Sequence, residues 1–384
     1  MRAHSDGYLE PVSYRRGEEV RRPTEGVGLC LSGGGYRAML FHVGVVWRLN
    51  EVGMLAELTR ISSVSGGSLT AGALGLGWKD LEFVGGVAKR LDEALVGPVR
   101  RLARITVDAS AVATGIVMPF TSVGQRVSRA YRKYLFGDAT LQNLPDCPVF
   151  VITATNLQSG VLMRFTKRHL ADYRVGLVRN PTIPIADVVA ASSAFPPVLS
   201  PVKIDLRNAE WETTDSATLT SGEFRSRIPL GDGGIYDNLG LEPVWKRCHT
   251  VLVSDAGGAL EHTPDVATDW PRHTLRVLKV VDSQVRALRK QQVIGSLLDK
   301  TREGAYFGIR STTAHFDTPC PIPADPTVTR ELADVPTRLA ALDSNTQERL
   351  INWGYVACDS ALRSHCAVNN PAALPYPACP IGPR

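Results

Sequence analysis

Ser65 lies in the run Ser63-Val64-Ser65-Gly66-Gly67, directly after an apolar, β-branched stretch and before a series of small residues. A serine with small neighbours two positions away on each side, set between a strand and a helix, has the surroundings of a nucleophile elbow. The turn is too sharp for larger side chains, and it lifts the hydroxyl to the carboxyl end of the strand over a helix N-terminus. The competing reading is an ordinary glycine-rich turn in which Ser65 only caps the helix.

A second stretch, Leu31-Ser32-Gly33-Gly34-Gly35-Tyr36-Arg37-Ala38, also follows a strand pattern and opens a helical one. Backbone N–H groups at a helix N-terminus point outward with the positive end of the dipole behind them, so the glycines suit an anion. Three readings stay open from these residues alone. A phosphate loop would be expected to carry GxxxxGK[ST] or GxGxxG, and neither is present. Close backbone packing would need no ligand. An oxyanion hole for the tetrahedral intermediate of acyl transfer would need aligned donors, each worth about 10² to 10³ in rate. Arg37 would support either the loop or the charge.

A serine nucleophile needs a base. None of the eight histidines (His4, His42, His169, His249, His262, His273, His315 and His365) stands in a recognisable catalytic context, and His42 falls on the first helix. The other candidate is Asp232 in Gly231-Asp232-Gly233-Gly234, where glycines let the carboxylate approach another backbone closely. A simple turn aspartate would look the same. Asp237 and Asn238 follow and are expected to shape this loop.

The elements that must position these groups follow α/β grammar. VGLCLS reads as a strand and residues 37–51 as a helix; RISSV reads as a strand and SGGSLTAGALGLGW as a helix. Strand, tight turn and helix, twice within about fifty residues, predict a mostly parallel sheet. CPVFVITATNL, IPLGD and HTVLVSDAGG read as further strands, and IADVVAASSAF as a small-residue helix stopped by Pro196. Residues 80–140 are expected to form a helical insertion. Residues 270–365 hold a long helical pattern, a proline-rich stretch at 318–328 and two more helices, the second opened by a capping box at Ser344-x-x-Gln347. With no clear linker, the domain reading is a flexible arm over residues 1–24, one domain over 25–365 and a Pro-rich tail over 366–384.

The chain has 384 residues, is 44% hydrophobic and 21% charged, and has a formal charge of +5. That core needs no disulfide staples. The seven scattered cysteines form no CxxC and no zinc-like spacing, so they are expected to be free thiols in a reducing compartment. The mild charge calls for no nucleic-acid partner. The N-terminal residues have no apolar core of a secretion signal, and the longest lipid-like run, residues 111–120, is too short to span a bilayer. A cytoplasmic protein is expected, with peripheral contact to anionic membrane. The basic, partly apolar residues 99–136 read equally well as a docking surface or a packed helical cap.

Together GGGYRA, SVSGG and DGG, in that order and each after a strand, resemble the patatin-like phospholipases, acyl hydrolases that share site logic with cytosolic phospholipase A2. TATNLQSG and AASSAFPPV are similar to core segments of the same family. The resemblance covers residues 26 to about 260, and residues 270–365 resemble the C-terminal helices of longer bacterial members. It implies an α/β, three-layer fold with a mostly parallel central sheet flanked by helices, plus extra C-terminal helices. It also implies a Ser–Asp dyad without histidine, with Ser65 as nucleophile and Asp232 as base. Gly33, Gly34 and Gly35 with Arg37 would be the oxyanion-hole segment, and Ser63, Gly66, Gly67, Gly233 and Gly234 would shape the elbow and loop. The implied substrate is a phospholipid or lysophospholipid, cleaved through an acyl-enzyme without cofactor or metal. Two positions depart from the family pattern: Ser63 replaces the first glycine of Gly-x-Ser-x-Gly, and Ala38 replaces the last glycine of GGGxxG. Both replacements are small. A transacylase and a non-catalytic lipid-binding scaffold are the alternatives on this fold.

Overall fold

The computed structural model describes residues 24–108, 123–316 and 322–382. The N-terminal arm up to residue 23, the apolar run at 111–120 and the start of the proline-rich stretch lie outside the described residues. Among those described, eleven strands form one sheet: β1 (Thr24–Leu31), β2 (Leu58–Val64), β3 (Val149–Asn156), β4 (Val161–Phe165), β5 (His169–Asp172), β6 (Gly176–Arg179), β7 (Val202–Asp205), β8 (Trp211–Glu212), β9 (Arg227–Asp232), β10 (Cys248–Asp255) and β11 (Glu303–Gly308). The order is β8-β6-β5-β4-β3-β2-β1-β10-β11, with β9 pairing with β3 and β7.

The central strands β3, β2, β1, β10 and β11 are parallel, as the strand–turn–helix order predicts. The other half is antiparallel: β4 turns back on β3, β5 on β4 and β6 on β5, and β9 runs against β3. The sequence reading found β9 as a strand but neither strands β4 to β8 nor the antiparallel direction. Strand direction is decided by the connection, and only four residues (157–160) join β3 to β4, far too few for a parallel crossover.

Both faces of the sheet are covered, because side chains alternate along each strand. On one face Leu29, Leu31, Ile61 and Leu252 pack with helices α1 (Gly35–Glu51), α2 (Gly66–Gly77), α3 (Ile185–Ser192) and a long C-terminal helix. On the other, Cys30, Val251 and Val253 pack under Leu239, Leu241 and Val244 and under Val293 of helix α4 (Trp270–Leu298). Three layers result. The described parts of the 80–140 insertion pack inward through Leu95, Val99, Leu102, Val127, Tyr131 and Phe136, so they behave as a packed cap.

The C-terminal helix α5 (Ser344–His365) lies against α1 at very short range. The crossing works because both helices offer a glycine: a Cβ on Gly44 would overlap the Ile351 carbonyl oxygen, and one on Gly354 the Phe41 carbonyl oxygen. The buried Arg48 guanidinium locks the pair, 2.7 Å from Asp359 and bonded to the Asn370 and Pro371 carbonyls. The start of α5 departs from the expected capping box. Asp343, one residue earlier, is the cap: its carboxylate accepts the Thr346 N–H at 2.9 Å and the Thr346 hydroxyl at 2.6 Å, while Gln347 donates to the Leu342 carbonyl. A charged acceptor makes the stronger bonds, so it displaces Ser344 from that role. The Pro-rich tail is anchored through Asn352, which bonds Tyr376 and Cys379, and through the buried Ile381. Cys366 and Cys379 are free thiols.

Gly44→Val is expected to lower stability by about 1–3 kcal/mol through overpacking, read as an earlier urea midpoint. An unchanged midpoint would mean that the helices do not approach this closely.

Candidate active site

The site forms beyond the carboxyl ends of β1 and β2, where open α/β sheets place their ligands. Ser65 occupies the turn from β2 into α2 with φ 52° and ψ −118°. A non-glycine residue at such a φ is strained, at a cost of order 1–3 kcal/mol, and persists only where its surroundings hold it. The surroundings are specific. A Cβ on Gly66 would overlap the Gly35 carbonyl oxygen and one on Gly67 the Leu31 carbonyl oxygen, so the elbow lies directly on the backbone of the triple-glycine loop. The Gly67 N–H donates to the Ser32 carbonyl at 3.1 Å. Ser63, at the position where the family pattern has glycine, is fully buried and accepts a hydrogen bond from the Ser68 hydroxyl at 3.1 Å. The Ser65 side chain makes no capping bond, which removes the simple N-cap reading. Asp232 stands beside its hydroxyl, close enough for Ser65 to exert a lowering effect on the carboxylate pKa.

Asp232 ends β9, packed antiparallel against β3. Its main chain is held on both sides: its N–H donates to the Ala194 carbonyl at 2.9 Å, and its carbonyl accepts the Thr155 hydroxyl at 2.8 Å. The carboxylate accepts the Gly234 N–H at 2.7 Å. Burial pushes its pKa up to about 7, against the lowering effect of the Gly234 hydrogen bond and of Ser65, with Asp282 of α4 adding a smaller upward push. Gly233 is required by close approach, since a Cβ there would stand 2.6 Å from the Thr153 carbonyl oxygen.

Ser192, at the end of α3, joins the two halves. Its hydroxyl accepts the Ser65 N–H at 2.9 Å and bonds Ser68 at 2.9 Å, while its carbonyl accepts the Gly233 N–H at 3.2 Å. Ser192 was not singled out from sequence, although the run AASSAF was noted for its small residues. Next to it, Ser193 bonds the fully buried Tyr131 hydroxyl of the insertion at 3.1 Å.

The glycine loop divides its work. The Gly33 N–H donates to the Asn238 carbonyl at 3.0 Å, so that amide is spent on structure, and Gly33 lets Asn238 and Ser65 approach. The Tyr36 N–H is likewise taken by the Arg338 carbonyl at 3.0 Å. The amides of Gly34 and Gly35, at φ 145° and 62°, have no such partner among the described residues. The Arg37 guanidinium is buried. It donates to the Ala256 carbonyl at 3.0 Å, to Thr337 at 2.9 Å and to the Val335 carbonyl. Of the two roles open to it, Arg37 therefore takes loop support. Asp237 shapes the following turn by accepting the Leu239 and Glu242 N–H groups.

His42, the histidine of helix α1, does not complete this site. His42 Nε2 faces the Ser32 carbonyl at 2.9 Å and must carry the proton, so Nδ1 accepts from the Ser254 hydroxyl at 2.7 Å. Burial lowers its pKa to about 4, and both nitrogens are occupied. Among the described residues no group of three or more His, Cys, Asp or Glu could hold a metal ion.

Because the Asp232 pKa is raised above the unfolded value, the folded state binds the extra proton between pH 4 and 7. Its stability therefore falls as pH rises through that window, by at most roughly 1.4 kcal/mol per unit. Asp232→Asn keeps an oxygen for Gly234 and removes the charge. Its stability relative to wild type is expected to grow from pH 4.5 to 7.5 in urea titrations. A difference that does not change with pH would remove the buried-carboxylate assignment.

The patatin-like phospholipase family profile matches residues 29–245, more than half of the chain. No curated protein matches in sequence. Among solved structures, human GIVD cytosolic phospholipase A2 in complex with methyl gamma-linolenyl fluorophosphonate is 16% identical, with a TM-score of 0.48 over 90% of this chain and 59% of that one. VipD from Legionella pneumophila is 17% identical, with a TM-score of 0.37 over 89% and 67% of the two chains. ExoU with SpcU from Pseudomonas aeruginosa is 16% identical, with a TM-score of 0.27 over 73% and 53%. The chain spans roughly half the length of the cytosolic phospholipase and of the ExoU structure. The family profile covers the glycine loop, the Ser65 elbow and the Asp232 loop together, and the chain belongs to the patatin-like phospholipase family, which supports lipid acyl hydrolysis as its chemistry.

Proposed function

We propose that the protein is a serine acyl hydrolase that cleaves carboxylic esters of phospholipids or lysophospholipids through a Ser65–Asp232 dyad. The observation that carries this reading is a strained, elbow-borne serine placed beside a buried aspartate whose pKa is raised to about 7. An ordinary aspartate, with a pKa near 4, would be a poor acceptor for a hydroxyl proton. Raised to near 7, the same group can take that proton and return it near neutrality.

Ser65 Oγ attacks the ester carbonyl carbon as its proton passes to Asp232. The negative charge on the carbonyl oxygen is met by the Gly34 and Gly35 amides at the start of α1, where the helix dipole favours an anion. The carbon–oxygen bond to the leaving alcohol breaks, and that oxygen takes the proton from Asp232. Water then gives its proton to Asp232 and attacks the acyl-serine, and the proton returns to Ser65 as the fatty acid leaves.

The surroundings favour a lipid. Leu157, Phe195, Val198 and Ile235 are exposed, and all lie on segments that flank the dyad. Leu157 and Ile235 meet over Gly231, beside Asp232. Helix α4, tied to the site end of β10 through Lys290 and Asp255 at 3.3 Å, exposes Trp270, Val277, Leu278, Val281 and Leu288. It carries six Lys or Arg and one Asp. An apolar helix with that charge suits an anionic bilayer. No helix among the described residues is long and apolar enough to cross a membrane, so the contact proposed is peripheral.

Wild-type protein is expected to release fatty acid from mixed phospholipid vesicles, and Ser65→Ala to lose at least about 10³-fold in kcat/KM. Release that survives in Ser65→Ala would overturn the dyad. Trp270→Ser with Leu278→Ser is expected to raise KM for vesicles severalfold while leaving turnover of a short soluble ester unchanged. Equal loss on both substrates would count against α4 as the lipid-facing helix.

A further inference from the structure

A second concave site lies at the other end of the strands from Ser65. Arg60 stands near the start of β2, five residues before the nucleophile, or roughly 16 Å along an extended strand. Around it Arg164 of β4, Arg168, His169 of β5, Arg179 of β6 and Arg247 line a cavity of about 330 Å³. Val149, Val151 and Pro243 form its apolar walls.

Five guanidiniums converge here. Arg179 is held by Glu212 at 2.8 Å, and Arg168 lies 3.9 Å from Asp146. Arg60 and Arg164, both only partly exposed, have no ion pair with a carboxylate among the described residues. Glu242 and Asp172 reach Arg164 only through longer-range attraction. Glu242 is engaged by Lys246 at 2.9 Å, and Asp172 by Asn156, Ser159 and the Arg174 N–H.

Arg60, Arg164 and His169 feel the surrounding charge. Burial and then repulsion from Arg247 and Arg164 lower the Arg60 pKa. For Arg164, burial and Arg247 also lower the pKa, against Glu242 and Asp172. His169 is pushed down to about 4, first by burial and then by Arg164, Arg247, Arg60 and Arg179. Holding like charges together costs stability, and their planar forks match phosphate oxygens two at a time.

We propose that this cavity binds a compact anion carrying two or more phosphate groups, of the pyrophosphate or polyphosphorylated-headgroup type. Arg60 and Arg164 at the floor contact one phosphate, and Arg247, Arg179 and Arg168 at the rim contact the next. The site is separate from the Ser65 elbow, and the inference does not rest on the acyl hydrolase reading. The strands β2 and β3 run from its floor toward Ser65 and Asp232.

The test is calorimetry on the full chain with pyrophosphate and with inositol hexakisphosphate, beside co-sedimentation with vesicles containing phosphatidylinositol bisphosphate. Arg60→Ala and Arg164→Ala are each expected to weaken binding at least tenfold, and Arg164→Lys by less. Exposed Arg90→Ala, elsewhere on the surface, is expected to change nothing. Affinity is expected to fall steeply from 50 to 200 mM salt. In wild type the anion is expected to raise the His169 pKa, followed by NMR. Binding of the free anions identifies a soluble ligand, while binding confined to vesicles and lost in Arg164→Ala identifies a lipid headgroup; either supports the site. No binding of any probe, or binding indifferent to Arg60 and Arg164, would overturn it. Melting temperatures keep the variants interpretable, because removing one of several repelling charges is expected to leave stability unchanged or raised.

Discussion

The Ser65 elbow and the Asp232 loop both hang from Ser192. Its hydroxyl takes the Ser65 N–H and its carbonyl takes the Gly233 N–H, so one residue at the end of α3 fixes the elbow and the aspartate loop relative to each other. This matters because Ser65 is held at a φ that a non-glycine residue adopts only at a cost. The strain cannot relax while Gly66 lies on Gly35, Gly67 on Leu31, and the Ser65 amide on Ser192. The surrounding layers serve that arrangement. The parallel strands bring two tight turns side by side, and the antiparallel half delivers Asp232 from a direction that no parallel crossover would allow.

Burial is the second constraint. It lifts the Asp232 pKa toward 7, while at Asp255, only a short way along the same edge of the sheet, the outcome is opposite. There Arg286, Lys290, the Gly257 N–H and the Tyr306 hydroxyl outweigh desolvation and hold the pKa at about 2. Two buried carboxylates near one another thus differ by what faces them. Asp255 stays ionised and anchors α4. Asp232 has no cation beside it and is left poised to exchange a proton.

The parts of the site legible in the sequence were those whose cause is local. A sharp turn demands small residues next to the serine, and close backbone approach demands glycine at 33–35 and 233–234, so both constraints are written beside the residues they serve. The parallel core was legible for the same reason. What escaped depended on partners far along the chain. Nothing near Gly33 announces that its amide will be spent on Asn238, or that Arg37 will turn to the carbonyls of Ala256 and Val335 rather than to the developing charge. Strands β4 to β8 are short and their direction lies in their turns. The cap at α5 went to Asp343 because a carboxylate outcompetes a neighbouring hydroxyl, a difference of one residue that spacing alone does not resolve. The arginine cavity was invisible because Arg60, Arg164 and Arg247 come from three separate segments.

The central claim is that Asp232 activates Ser65. The most direct measurement is the rate of covalent labelling of Ser65 by a lipid-like fluorophosphonate as a function of pH, in wild type and in Asp232→Asn. The account predicts labelling at Ser65 alone, with a rate that rises with pH through a midpoint near 7 in wild type and falls by orders of magnitude in the variant. Labelling of Ser65 that is equally fast in Asp232→Asn would contradict it.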